Sequence, residues 1–346
     1  MNSDYQSALV KLRTLLVVAK GYPDYQKIVE ARDVVLAQYG PVFKRETIAS
    51  LTEEVFKSFL RFENNRHWSG LHRQGPRICS DMVKLRETLA VLVDEEKPIK
   101  ERLDECVESI FGLGRAVLTS ILLIAYPDKY GVWNNTSEGA LRTLKIWPES
   151  RRGASFGERY GILNDLLDKL ARDLGIDLWT LDALFWGVKT SDTLPPPFPA
   201  GPVEPGEQRF GLEVHLHDFL FDNWDRTELG HDWELFSEPD NPDAGYEFPT
   251  DVGEIDLLAR HRREKRRWLV VELKREQTSD DTVGQILRYM GWVRQKLAGK
   301  DDQVEGVIIA RTADERLRYA ISELKHVSFL RYEVSFRLIG SNEGQK

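Results

Sequence analysis

The chain has few of the residues and patterns that mark several large classes of protein. Its two cysteines, Cys79 and Cys106, provide neither a disulfide framework nor the spacing of a metal-binding motif. An intracellular, reducing location is therefore predicted. The start of the sequence does not have the basic and apolar regions of a signal peptide. The longest apolar run, residues 116–126, is interrupted by Thr119 and Ser120 and is too short to span a membrane. We expect a cytoplasmic protein that makes no membrane contact.

A large excess of positive charge is also missing. Lys and Arg number 48 against 56 for Asp and Glu, which gives a net charge of −8. A polycation that binds nucleic acid through bulk charge is thereby excluded, so any contact with DNA must come from local basic patches. The length of 346 residues is sufficient for two domains with ordinary apolar cores.

Proline is concentrated in one stretch. Residues 190–208 include Leu-Pro-Pro-Pro-Phe-Pro-Ala-Gly-Pro and show no apolar periodicity, which is typical of an extended, semi-rigid linker. We place the domain boundary there. Residues 1–189 have mainly helical apolar spacing and are predicted to form a helical, DNA-binding domain. Residues 209–346 are predicted to form a second domain.

Two strand-like runs in the second domain carry charged residues among apolar ones. Residues 252–260 read Val-Gly-Glu-Ile-Asp-Leu-Leu-Ala-Arg, and residues 267–274 read Arg-Trp-Leu-Val-Val-Glu-Leu-Lys. Alternation predicts that Glu272 and Lys274 share one face of a strand. Pairing of the two runs as a hairpin would bring Asp256 toward Glu272. Such carboxylates suit Mg²⁺, which uses one or two of them together with water and substrate phosphate.

This Asp…Glu-x-Lys order resembles the PD-(D/E)xK nuclease superfamily. Its flanking sequences, together with Ser-Asp-Asp-Thr-Val-Gly-Gln-Ile-Leu-Arg-Tyr-Met-Gly-Trp-Val at residues 279–293, are similar to the catalytic domain of NucS-type (EndoMS-like) endonucleases. The similarity extends over residues 210–339. It implies an α/β, restriction-endonuclease-like domain that cleaves DNA with Mg²⁺ or Mn²⁺. Asp256 and Glu272 would bind the metal, and Lys274 would orient or deprotonate the attacking water.

The resemblance implies two further site residues. An acidic residue on the first helix of the family's domain matches Glu213, and a glutamine that follows the family's lysine matches Gln285. A solvated surface glutamate is the alternative for Glu213. His215 and His217 lie on the same predicted helix but lack a partner cluster, so polar helix positions explain them better than a metal site does.

Basic residues flank the predicted site. The turn at residues 260–267 is rich in arginine, which favours contact with phosphates, although a solvated turn is the alternative. The helix predicted after its N-cap Ser279 has a Gln-Arg-Tyr-Trp side apart from its core stripe, which suggests substrate contact, with packing as the alternative for the two rings. The residues of this domain predicted to contact DNA are Arg262, Arg263, Arg266, Arg288 and Tyr289.

Residues 61–75 of the first domain depart from helical spacing. They combine arginine, histidine and tryptophan with Asn and Gly, which suits phosphate contact and base stacking. The alternative is a polar interhelical loop with Trp68 in the core. The residues predicted to contact DNA here are Arg66, His67, Trp68 and Arg73.

Residues 103–125 resemble a helix-hairpin-helix element, because a Gly-Leu-Gly turn separates two apolar helices. Backbone N–H groups after such a turn can bind a DNA phosphate, and the predicted contacts are Gly112, Gly114 and Arg115. Ordinary termination of a helix by glycine is the alternative. Similarity to helix-hairpin-helix glycosylases reaches Asn134, where that family has a catalytic aspartate. An amide cannot supply that charge, so DNA binding is favoured over base excision.

The sequence thus predicts a metal-dependent endonuclease that acts on DNA in repair or in defence against foreign DNA. Two other functions stay open. One is a DNA-binding adaptor that keeps a nuclease fold without cleavage, and the other is a base-excision enzyme that acts through the first domain. A homodimer is also left open, as is the target among mismatched, modified, branched, single-stranded and phage DNA.

Overall fold

The computed structural model describes residues 3–188, 209–274, 277–278 and 281–333, with only the backbone described for Asp24 and for residues 209–215 and 277–278. The chain divides into two compact units. The first is Met1–Gly206 with Leu235–Ile255, and the second is Glu207–Glu234 with Asp256–Lys346. The predicted linker at residues 190–208 and the predicted N-cap Ser279 lie outside the described residues.

The first unit is mainly helical, as predicted for the N-terminal part of the chain. Two 3-10 helices lie at Ile48–Ser50 and Leu71–Gln74. The helices are α1 (Ser3–Ala19), α2 (Pro23–Tyr39), α3 (Glu53–Leu60), α4 (Phe62–Asn65), α5 (Gly75–Ile78), α6 (Met82–Leu92), α7 (Ile99–Ser109), α8 (Arg115–Ala125), α9 (Asn135–Thr143), α10 (Phe156–Leu174) and α11 (Leu178–Val188).

The remaining elements follow in the second half of the chain, and a 3-10 helix lies at Trp224–Arg226. The helices are α12 (Arg209–Asp222), α13 (Glu228–Asp232), α14 (Asp281–Lys296) and α15 (Glu315–Ser322). The strands are β1 (Trp233–Leu235), β2 (Tyr246–Thr250), β3 (Gly253–His261), β4 (Arg267–Leu273), β5 (Gln277–Thr278), β6 (Gln303–Ala310), β7 (Thr312–Ala313) and β8 (Val327–Arg331). None of the helices in the described ranges is long and apolar enough to cross a membrane.

The strands form a mixed sheet, which agrees with the predicted α/β class. The order is β1-β3-β4-β6-β8, β2 pairs with β3, and β5 pairs with β7 separately. Strands β3 and β4 are antiparallel, so the predicted hairpin is confirmed. Strands β4, β6 and β8 run parallel to one another. Because both faces of β4 are covered, its residues are apolar almost throughout.

Helix α14 covers the face of the sheet that carries Glu272. Its predicted apolar stripe packs inward on β6, where Gly306 allows a close approach. A Cβ atom at Gly306 would lie 2.7 Å from Met290 Sδ and 2.9 Å from Ile286 Cδ1. Gly306 pairs with Val270 on β4. Since side chains alternate along a strand, Glu272 points to the same side as Val270.

Candidate functional site

Strands β3 and β4 bring two carboxylates together. Leu257 pairs with Val271 in the antiparallel register, so Asp256 and Glu272 are the next residues along the two strands. The Oδ2 atom of Asp256 accepts the backbone N–H of Leu273 at 2.6 Å. The hairpin therefore holds both carboxylates at the carboxyl end of β4, as the sequence predicted.

Glu272 is the more enclosed of the two. Its side chain is 0% exposed, against 17% for Asp256. Lys274 donates from Nζ to Glu272 Oε1 at 2.6 Å, and its backbone N–H donates to the carbonyl of Ile309 at 2.8 Å. The other oxygen of Glu272, Oε2, is buried and has no hydrogen-bond partner among the described residues. A buried carboxylate oxygen in this state costs free energy unless a proton or a cation satisfies it.

The surroundings raise the pKa of Glu272 to about 8. Burial is the largest cause, because it disfavours the charged form, and the neighbouring Asp256 carboxylate raises the pKa further. Lys274 and His217 act in the opposite direction. A carboxyl group with such a pKa, next to a second carboxyl group and a lysine, is typical of functional sites.

His217 also lies at this site, which the sequence interpretation missed. Its Nε2 atom is 3.7 Å from Asp256 Oδ2, and 14% of its side chain is exposed. The histidine is on α12, whereas its carboxylate neighbour is on β3, so no local motif joins them. The available signal was its i, i+4 spacing from Glu213, which places both residues on one side of α12. The side chain of Glu213 is outside the described residues, and its role stays a prediction.

The Gln285 side of α14 is directed toward the same carboxylates. Tyr289 is 3% exposed, and the neighbouring side chains of Arg288 and Gln285 influence the pKa of its hydroxyl. Burial raises the pKa of Tyr289, the Glu272 carboxylate raises it further, and Arg288 and Gln285 act in the opposite direction. The Tyr289 side chain is therefore close enough to Glu272 for that carboxylate to affect its pKa. Because its ring is packed inside the unit, the predicted contact of Tyr289 with DNA is wrong and the packing alternative is confirmed. Contact by the exposed Arg288 stays a prediction.

The donor set suits a hard divalent cation. Within the described ranges, no three or more His, Cys, Asp and Glu side chains are grouped as a metal-binding set. Asp256 and Glu272 form a pair, and Mg²⁺ is held by such a pair when water and substrate phosphate fill the other positions. The buried Oε2 of Glu272 is chemically suited to such a cation, because it is a carboxylate oxygen without a hydrogen-bond partner among the described residues.

The basic turn between β3 and β4 is largely paired with acidic side chains of the same unit. Arg262 donates to Asp225, and Arg266 lies 2.8 Å from a carboxylate oxygen of Asp301. Arg263 is exposed. Contact of these arginines with DNA stays a prediction, but the ion pairs reduce the net positive charge that the turn offers to a phosphate.

Two rings of residues 61–75, those of His67 and Trp68, lie in the core of the first unit. His67 Nε2 and Trp68 Nε1 lie 2.6 Å and 2.9 Å from Asp182 Oδ2. Asn65 Oδ1 accepts the backbone N–H groups of both residues. Since His67 is 0% and Trp68 5% exposed, their predicted contact with DNA is wrong, and the alternative with Trp68 in the core is confirmed. Arg66 is exposed, and its contact with DNA stays a prediction.

The Gly-Leu-Gly turn is occupied by another part of its own unit. The N–H of Arg115, the first residue of α8, donates to the carbonyl of Asp240 at 2.7 Å. A Cβ atom at Gly114 would lie 2.5 Å from Pro242 Cδ and 3.0 Å from that carbonyl. Arg115 itself is 4% exposed. The predicted phosphate site at Gly112, Gly114 and Arg115 is therefore wrong for this structure, because residues 240–242 fill it.

The same segment, residues 235–255, engages other predicted positions. The guanidinium carbon of Arg73 is 4.1 Å from the ring centroid of Tyr246, and Gln74 donates to Asp243 at 2.7 Å. Arg73 is thus partly covered by its own unit, which leaves its predicted contact with DNA without direct support.

Asn134 has a structural role at the start of α9. Its side chain accepts the N–H of Ser137 at 2.8 Å, and the Ser137 hydroxyl accepts the N–H of Asn134 at 3.0 Å. This reciprocal arrangement is a capping box. An amide that caps a helix accounts for the residue without base-excision chemistry.

Comparison with known protein families finds a match in the second half of the sequence. Residues 235–334 match the family of the endonuclease NucS C-terminal domain, so the resemblance stated from the sequence is confirmed over that range. A search of curated proteins gives no match.

Two solved structures are similar to part of the chain. A repair endonuclease from Pyrococcus abyssi is 18% identical, with a TM-score of 0.27, and the match covers 39% of this chain and 50% of that one. An EndoMS complex with double-stranded DNA is 18% identical, with a TM-score of 0.29, and the match covers 40% of this chain and 49% of that one. The similarity thus spans about half the length of each of these proteins.

Proposed function

We propose that the chain, which carries a NucS-like domain at residues 235–334, is a metal-dependent DNA endonuclease of the PD-(D/E)xK type. The observation that carries the proposal is the grouping of Asp256, Glu272 and Lys274 at the carboxyl end of β4. The function would lie in DNA repair or in defence against foreign DNA. A cleavage panel of mismatched, modified, branched and phage DNA separates these roles.

The two carboxylates are the proposed ligands of Mg²⁺ or Mn²⁺. Asp256 is oriented by the Leu273 N–H, and Glu272 keeps one oxygen unsatisfied. A divalent cation bound to them would polarise the phosphodiester and lower the pKa of a bound water. The raised pKa of Glu272 supports the assignment, because a nearby cation would favour the charged carboxylate that burial and Asp256 disfavour.

Lys274 is the proposed partner of the attacking water and of the phosphate. Its side chain is 30% exposed while its Nζ donates to Glu272 Oε1, so it can also reach a ligand from the solvent side. A positive donor held at this place would stabilise negative charge that develops on the phosphate oxygens. Gln285 would assist from α14, where it neighbours Tyr289, whose pKa Glu272 also influences.

The experiment that tests the function is cleavage of labelled DNA with and without Mg²⁺ or Mn²⁺. Asp256→Ala, Glu272→Ala and Lys274→Ala are each expected to lower the cleavage rate by about 100-fold or more, because each removes charge stabilisation at the reacting phosphate. Affinity for DNA should be largely kept. Glu264→Ala, at an exposed position of the turn between β3 and β4, is the control and should cleave normally.

The same assay decides between the endonuclease and a DNA-binding adaptor. Wild-type protein that binds DNA but does not cleave it with either metal would establish the adaptor. Undiminished cleavage by Glu272→Ala would reject the site. Release of free base would instead support base excision, which the helix-capping role of Asn134 disfavours.

A further inference from the structure

The exposed side of α15 differs from the basic turn in its charge pairing. Arg311, Arg316 and Arg318 are exposed. Within the described part of the chain, their side chains form no hydrogen bond and no ion pair. In the turn between β3 and β4, by contrast, Arg262 is paired with Asp225.

An aromatic ring accompanies these arginines. Tyr319 is 74% exposed and Leu317 is buried, so the two residues lie on opposite sides of α15, as expected for positions two residues apart in a helix. Glu315 at the start of this helix and Glu323 just after its end are also exposed. Neither forms an ion pair with these arginines, so each guanidinium group is available to a ligand. The α15 surface is defined as Arg311, just before the helix, with Arg318 and Tyr319 on it. Arg316 is two residues from Arg318 and lies on another side of the helix.

The α15 surface begins next to the carboxylate site. Lys274, at the end of β4, donates its backbone N–H to the carbonyl of Ile309 on β6. Arg311 follows two residues after that carbonyl. Beyond the main sheet, Gln277 pairs with Thr312. Strands β5 and β7 therefore lie side by side past the site. A strand of DNA bound at the carboxylates would therefore have Arg311 and the start of α15 beside it.

We propose that the α15 surface binds the sugar–phosphate backbone of DNA beside the scissile bond, with Tyr319 stacked on an exposed base or sugar. This inference rests on the proposed endonuclease function and names the surface that positions its substrate. An unpaired guanidinium group binds phosphate oxygens through two N–H groups at once. When an arginine is paired with a carboxylate, the pair carries no net charge and attracts a distant phosphate only weakly. Backbone contacts of this kind fix the register of the DNA without reading its sequence.

The test compares two double variants that remove the same charge from different surfaces. Arg311→Gln with Arg318→Gln removes two arginines that have no ion pair among the described residues. Arg151→Gln with Arg172→Gln removes two exposed arginines that are paired with Glu158 and Asp168. DNA affinity is measured by fluorescence anisotropy over a salt series, in EDTA to prevent cleavage. The first variant should make the slope of log affinity against log salt shallower by about 1.8, since each lost phosphate contact changes it by about 0.9. The second should leave the slope unchanged. Thermal melts confirm that both variants are folded.

Tyr319 provides an independent readout. Tyr319→Ala should weaken the binding of single-stranded DNA by roughly 5-fold or more, the loss expected for one stacked base. Tyr319→Phe, which keeps the ring, should restore it.

The outcomes separate this inference from the function on which it rests. Equal slope changes in the two double variants, or a change in the second alone, would overturn the α15 surface while leaving the nuclease intact. Wild-type protein without affinity for DNA would overturn both.

Discussion

Glu272 is held in surroundings that oppose its own charge. Its side chain is fully buried beside the Asp256 carboxylate, and Lys274 reaches one oxygen only. A residue placed for stability alone would gain more from an apolar side chain of similar size. The arrangement is therefore explained if a cation binds there. Without the cation, the buried charge of Glu272 should lower the free energy of unfolding by a measurable amount.

The stability of the metal-free protein should depend on pH through Glu272. Its pKa is about 8 in the folded chain and 4.5 as the ordinary value. The folded chain thus binds more protons between these values, and the free energy of unfolding falls as the pH rises from about 4.5 to about 8. Glu272→Gln removes this titration. Its stability relative to wild type should rise across that window by an amount on the order of a few kcal/mol.

Urea unfolding in EDTA at several pH values checks this expectation. Asp256→Asn is the matched control, because it removes the charge next to Glu272 and thereby lowers the pKa of Glu272. The pH range over which the free energy of unfolding falls should then become narrower. Parallel pH curves for wild type and Glu272→Gln would contradict the raised pKa.

The closeness of the two carboxylates could be predicted from the sequence because their geometry is local. Alternation along the strands and one short turn suffice to bring Asp256 to Glu272. His217 could not be found in the same way. Its position depends on how α12 packs on β4, which no short-range pattern encodes. The pairing of Arg262 with Asp225 is likewise long-range, so composition alone overstated the positive charge of the turn.

Among the elements, the turn before α8 shows how a correct local pattern can lead to a wrong site. The sequence correctly indicates two apolar helices separated by a glycine turn, and α7 and α8 form there. A helix N-terminus attracts any hydrogen-bond acceptor, and the carbonyl of Asp240 takes the place that a phosphate would need. The competing acceptor is more than a hundred residues away in the sequence, beyond the range of motif reasoning.

Gly114→Val is therefore expected to lower stability rather than to remove a phosphate contact. The new side chain would meet Pro242 Cδ at 2.5 Å and the Asp240 carbonyl at 3.0 Å. Overpacking of this kind costs about 1–3 kcal/mol. Thermal and urea unfolding measure the loss.

Gly161→Ala is the matched control for Gly114→Val. Gly161 lies within α10, and a Cβ atom there meets nothing within 4 Å. This change should raise stability by about 0.5–1 kcal/mol, because alanine loses less backbone entropy than glycine in a helix. A Gly114→Val protein as stable as wild type would show that residues 240–242 do not pack against the turn.

At the scale of the whole molecule, the first unit includes a segment from the second half of the sequence. Residues 235–255 join Met1–Gly206 by compactness. Proline content indicates where a chain is extended, but it does not indicate which later segment returns to pack. Here the return depends on hydrogen bonds such as that from Asn135 Nδ2 to the carbonyl of Tyr246 at 2.6 Å. The helical class and the α/β class could be predicted from the sequence, whereas the return of residues 235–255 to the first unit became visible only in three dimensions.

A fragment of residues 1–206 should consequently be less stable than a fragment of residues 1–255. The shorter fragment loses the Asp240 carbonyl that accepts the Arg115 N–H and the Asp240 carboxylate that lies 3.1 Å from Arg159. Each buried polar group left without its partner costs about 1–3 kcal/mol. The midpoint of urea unfolding, followed by tryptophan fluorescence, should therefore be clearly lower for residues 1–206. Asp240→Ala within residues 1–255 should give an intermediate midpoint, since it removes the carboxylate and keeps the backbone carbonyl. Equal midpoints for the two fragments would mean that residues 235–255 contribute nothing to the folding of the first unit.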